Sequence, residues 1–68
     1  MTSQDPIRDA QEEMELAERV GRQGDPHRAA IQYQSIGDRL RAQLGPYHSL
    51  TLDAYEGMAR WIGAEGRN

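Results

Sequence analysis

Cysteine and lysine are missing from this chain, and histidine occurs only as His27 and His48. Without cysteine there is no disulfide staple, thiolate nucleophile or sulfur-ligated metal site, and two imidazoles are too few for an all-histidine one. Stability therefore rests on packing or on a partner. Apolar runs are also scarce, the longest being two or three residues as at Ala29–Ile31. The N-terminus has no basic stretch leading into a hydrophobic one. Neither a membrane span nor a signal peptide fits, and a cytoplasmic location is the expectation. Eight arginines against eleven acids leave a net charge of −3, without the basic face that a phosphate backbone requires, so nucleic acid is not an expected partner. At 68 residues and 7.7 kDa the chain is read as one domain, smaller than most enzyme scaffolds. A domain of this size buries only about 60% of the surface its unfolded chain exposes. A complete gene product and an excised piece are both open, with Met1 and the polar Arg67-Asn68 end favouring a complete short chain.

What the chain does have is helix punctuation. Asp5-Pro6 and Asp25-Pro26 each place a capping carboxylate ahead of a proline at the first helical position, where its missing N–H costs nothing. Gly24 and Gly45-Pro46 supply the stops, and Ser49 or Thr51 can open a third helix. Helices are expected at about 6–23, 26–44 and 50–65, with 1–5 and 67–68 as flexible tails. No window alternates like a strand, and Ala, Gln, Glu, Arg and Leu fill all three segments.

Rotation by 100° per residue separates the faces. In the first helix Ile7, Ala10, Met14, Leu16, Ala17, Val20 and Gly21 share one broad side. Arg8, Glu12, Glu15, Arg19 and Arg22 share the other, which reads as solvated. The second helix aligns Ala29, Tyr33, Ile36, Gly37, Leu40 and Leu44, and its small residues permit close approach. The acids crowd into residues 1–25, where a solvated face or an acidic docking strip for a basic partner are the two readings.

A repeat at an offset of 42 residues organises the rest. Leu16-Ala17-x-x-Val20-Gly21-x-x-Gly24 lies over Met58-Ala59-x-x-Ile62-Gly63-x-x-Gly66, pairing the first helix with the third. Together with Gly24-Asp25, Ala29-x-x-x-Tyr33 and Leu44-Gly45-Pro46-Tyr47-His48-Ser49-Leu50-Thr51-Leu52, this pattern resembles the tetratricopeptide repeat, in the long form of about 42 residues found in kinesin light chain. The resemblance covers about residues 10–66, one and a half repeats. Tyr47, Ser49 and Leu50 depart from the family's loop, and Gly57 stands where an asparagine is common. It implies an all-α, three-helix antiparallel stack serving protein contacts rather than catalysis. It also implies that His48 braces the loop, and that a concave groove is lined by Gln11, Met14, Glu18 and Arg22 with Asp53, Glu56 and Arg60. Arg22 and Arg60 could clamp a carboxylate there or be satisfied by Glu18 and Glu56, each four residues earlier.

In such a stack the third helix lays Leu50, Ala54, Gly57 and Trp61 on the first pair. The helix-one counterparts of these residues are charged, because nothing precedes them. Its other face, Leu52, Tyr55, Met58, Ala59 and Ile62, matches positions that in the first helix pack on the second, yet here that mate is missing. A repeat unit cannot bury its apolar face alone. A homodimer through Leu52, Tyr55, Met58 and Ile62 is the expectation, since one patch can pair with its own copy. A closed three-helix monomer and a different protein partner are the alternatives.

No catalytic, cofactor or metal site is expected. Glu12, Glu15 and Glu18, or Glu13 with Asp9, project mainly from a solvated face, where no burial separates their acidities. His27 has no acid at a spacing that would make a catalytic pair. The hydroxyls of Tyr33 and Tyr55 are expected at solvent or a loop carbonyl, and Trp61 over Gly57 or receiving another helix there. The functional expectation is a non-enzymatic protein-interaction or assembly module. The alternative is a small accessory protein that modulates an enzyme or transcription regulator through its acidic first helix.

Overall fold

The structure is a computed structural model and describes residues 5–65, which form three helices: α1 (Pro6–Arg22), α2 (Pro26–Leu44) and α3 (Ser49–Glu65). The expected boundaries hold to within one residue. Asp5 is not part of a tail, because its Oδ1 accepts from the backbone N–H groups of Ile7 at 3.1 Å and Arg8 at 3.2 Å and so caps α1. The rest of the expected tails lies outside the described residues. Asp25 caps α2 through the Arg28 N–H at 3.1 Å. Gly24 at φ 104° and Gly45 at φ 99° take the left-handed backbone that turns the chain after each of the first two helices.

The start of α3 differs from expectation. Neither Ser49 nor Thr51 caps it; His48 Nδ1 accepts from the Leu50 N–H at 3.1 Å, which places the imidazole proton on Nε2. Thr51 is instead fully buried, and its hydroxyl donates to the Gly45 carbonyl at 2.9 Å. That bond ties the first turn of α3 to Gly45, the residue that ends α2 and opens the loop, and fixes where the helix enters.

The molecule is an antiparallel helical stack with α2 in the middle; α1 and α3 flank it and touch each other least. The arrangement makes a slab of 45 × 26 × 14 Å with a radius of gyration of 12.2 Å. A compact chain of this length would have about 11 Å. The core is built largely from small side chains: Ala10, Ala17 and Ala54 pack with Tyr33, Ile36 and Leu40, and Met14, Leu44, Leu50, Met58 and Trp61 close its edges.

Three aromatic rings lie on three glycines and set the helix spacing. A Cβ at Gly21 would come within 2.5 Å of the Trp61 ring, one at Gly57 within 2.5 Å of Tyr33, and one at Gly37 within 2.9 Å of Tyr55. Trp61 thus rests on Gly21 of α1 rather than on Gly57 of its own helix, and Tyr33 of α2 takes Gly57. As expected, Ala54 and Gly57 are buried against the first two helices, with Leu50 and Trp61 half-buried beside them.

Candidate functional site

Two surfaces of this slab differ in chemistry. The first is the groove between α1 and α3, about 930 Å³, and its lining includes every groove residue expected from the sequence: Gln11, Met14, Glu18, Arg22, Asp53, Glu56 and Arg60. Its centre is Glu18, whose Oε1 accepts from the Tyr33 hydroxyl at 2.8 Å, the Arg60 guanidinium at 2.5 Å and the Trp61 indole N–H at 3.2 Å. Arg22 approaches Oε2 at 3.6 Å. One carboxylate therefore links all three helices, and the Arg60 guanidinium also lies 5.9 Å from the centre of the Trp61 ring.

Burial pushes Glu18 toward its protonated form, but the bonds from Tyr33 and Trp61 and the charges of Arg60 and Arg22 outweigh it and hold its pKa below the ordinary carboxylate value. Tyr33 responds in the opposite sense. Burial first, then its bond to the Glu18 carboxylate, raises the phenol to about 12. Arg60 pairs with Glu18 rather than with Glu56 and joins Arg22 there, so this end of the groove is an internal brace. Asp53 and Glu56 stay exposed, and neither joins an ion pair among the described residues.

The second surface is the outer face of α2 and α3. Leu52 is 46% exposed and Ile62 51%, with Ala59 exposed between them. Tyr55 and Met58 are only half-exposed, because each has found cover inside the chain. The Tyr55 ring lies on Gly37 with its hydroxyl donating to Asp38 at 2.6 Å, and Met58 packs on the core. That hydrogen bond comes first, and partial burial second, in raising the Tyr55 phenol above its usual pKa. Both tyrosine hydroxyls thus end on carboxylates rather than on solvent or a loop carbonyl.

Ile31, also 51% exposed, belongs to the same face but stands outside the apolar stripe expected for α2. His27 Nδ1 meets Glu65 at 2.8 Å and Tyr55 meets Asp38; the antiparallel register joining those pairs sets Ile31 level with Ile62. His27 therefore does have an acidic partner, one that lies 38 residues away in sequence and at the exposed end of the stack. No single-helix periodicity could have found it. On the back of α1 and α2, Leu16 is exposed beside a shallow 220 Å³ hollow with Glu13, Gln32, Ser35 and Ile36. Among the described residues no group of three or more His, Asp or Glu side chains is placed to hold a metal ion, and no helix is long and apolar enough to cross a membrane.

No family model matches the chain, and no curated protein or solved structure matches it, so these two surfaces carry the functional reading.

Proposed function

We propose that this chain is a non-enzymatic interaction and assembly module of tetratricopeptide type that self-associates through α3. One contrast carries the reading. Ala10 and Ala17 of α1 are fully buried under α2, while the residues 42 positions later, Leu52 and Ala59, are exposed on the matching face of α3. At these two positions the face is covered in α1 and open in α3, whereas at Leu16, which is exposed, and the half-buried Met58 the order is reversed. A copy of the chain, offering the same patch, is the simplest cover. A cytoplasmic setting belongs to the same proposal.

Magnitudes support a modest affinity. Full burial of a large aliphatic side chain is worth about 1.5–3 kcal/mol, so the uncovered half of each of Leu52, Ile62 and Ile31 is worth about 1 kcal/mol. Six such halves in a dimer gain about 6 kcal/mol before further contacts, at the lower end of the roughly 4–15 kcal/mol that association costs. A micromolar dimer needs a net of about 8 kcal/mol, so the remaining contacts of the interface must supply the larger share. Sedimentation velocity across about 1–200 µM should show the mass rise toward twice the chain mass, and I62E should hold it at the monomer with unchanged helical circular dichroism. A parent chain that stays monomeric throughout refutes the reading.

A second reading, an accessory protein presenting its acidic first helix to a larger regulator or enzyme, is favoured by Glu12 and Glu15, which are exposed and make no ion pair among the described residues. Glu13 is already taken by Arg39 of α2. Reversing Glu12 and Glu15 to arginine should abolish capture of a basic partner, and unchanged recovery ends that reading.

A further inference from the structure

The outer face of α3 has a symmetry of its own. We infer that two copies pack α3 against α3 antiparallel, in a register centred on Gly57, so that Leu52 meets the partner's Ile62 and Tyr55 meets the partner's Ala59. This rests on the self-association proposed above and adds its geometry.

The spacing carries it. Leu52, Tyr55, Ala59 and Ile62 are separated by three, four and three residues, and this order reads the same from either end about Gly57. Two antiparallel helices related by a two-fold axis need such a palindrome, because each layer joins a residue to its mirror position in the partner. The layers are also matched in size. At each end an aliphatic meets an aliphatic, Leu52 on Ile62. In the middle the side of the Tyr55 ring that Gly37 leaves uncovered faces the small Ala59. A parallel pairing would put tyrosine on tyrosine in one layer and alanine on alanine in the next, forcing the helices apart at one level and leaving a void at the other. Head-to-tail stacking onto the front of α1 fails for a different reason. That surface carries Arg8, Glu12, Glu15 and Arg19, all exposed, and offers no apolar complement.

Charge at the rim agrees with the antiparallel register. It brings Glu56 within a turn of the partner's Arg60, on the groove side of the interface, twice by symmetry. Arg60 is bonded to Glu18, yet its side chain is 61% exposed, so guanidinium donors remain for a second carboxylate. The face is wide enough. Seventeen residues make a helix about 25 Å long, and two helices side by side span about 20 Å. The resulting ~500 Å² per copy, ~1,000 Å² in all, sits at the lower limit for a specific interface, in line with a micromolar dimer.

The absence of native cysteine makes the register directly readable. Leu52 and Ile62 lie about 15 Å apart along one helix, beyond the ~7 Å Cα separation a disulfide tolerates, so the double variant L52C/I62C cannot close on itself. Under mild oxidation at about 50 µM it should become a covalent dimer carrying two 52–62 linkages by peptide mapping, with L52C and I62C alone remaining non-covalent. Both positions are surface-exposed, and unchanged circular dichroism checks that the fold is intact. If the single variants cross-link as readily as the double, the pairing is parallel and the inference is wrong. If the parent sediments as a dimer but the double variant does not cross-link, self-association stands and this register falls. A parent monomeric at all concentrations removes both.

Discussion

α1 and α3 carry one pattern twice, and their surroundings separate them. Equivalent positions 42 residues apart have opposite fates: Ala17 is buried and Ala59 exposed, and Gly21 lies under an indole where Gly63 faces open space. Glu18 and Arg60, also equivalent, carry opposite charges and meet each other. Local sequence made two similar helices. Both flank α2, and their neighbours cover Ala17 and Gly21 in one while leaving Ala59 and Gly63 open in the other.

The sharpest way to break this comparison is to place one substitution at both equivalent sites. A17E would bury an unpaired carboxylate beneath α2 and should cost more than about 3 kcal/mol, enough to unfold a domain of this size at 25 °C. A59E should leave thermal stability of the monomer within about 0.5 kcal/mol while abolishing the dimer in sedimentation. Equal damage at both sites would mean that the outer face of α3 is not open.

A smaller contrast uses the paired glycines. G21A drives a methyl into the Trp61 ring and should destabilise by about 1–3 kcal/mol. G63A meets nothing within 4 Å and should gain up to about 1 kcal/mol from helix propensity, so the two denaturation midpoints should move in opposite directions.

The smallest expected effects come from the Glu18–Arg60 pair. E18Q should cost about 1–2 kcal/mol through weakened charged hydrogen bonds. Glu18 has a lower pKa folded than unfolded, so its contribution is full above the ordinary value of 4.5 and is lost as pH falls through the folded value. Tyr33 has the reverse sense. Its folded pKa of about 12 exceeds the ordinary 10, so its contribution is full below pH 10 and disappears as pH rises toward 12. Urea midpoints should fall on both flanks. E18Q should flatten the acid flank, and an unaltered profile would show that Glu18 does not brace the stack.

The helices were legible because their signals are local. Asp5-Pro6, Asp25-Pro26, Gly24 and Gly45 act within a turn of themselves, and the buried stripe of Ala29, Tyr33, Ile36, Gly37 and Leu40 follows from rotation alone. The antiparallel stack and the residues lining the α1–α3 groove came instead from what the resemblance to the tetratricopeptide repeat implies. The pairings followed from neither. His27 with Glu65, Glu13 with Arg39 and Tyr55 with Asp38 join side chains on different helices, and each depends on crossing geometry that no window of one helix contains. The cap of α3 was missed because Thr51, a usual capping residue, turned inward to the Gly45 carbonyl and left the role to a histidine.

Sequence by itself determined that there are three helices, where each begins and ends, and which stripe of each is apolar, because backbone propensity, capping and periodicity are properties of neighbours along the chain. Tertiary structure decided which positions of two like stripes are covered, that Arg60 of α3 reaches Glu18 of α1 and that Ile31 stands level with Ile62, because burial and pairing depend on distances between segments that the chain brings together only when it folds.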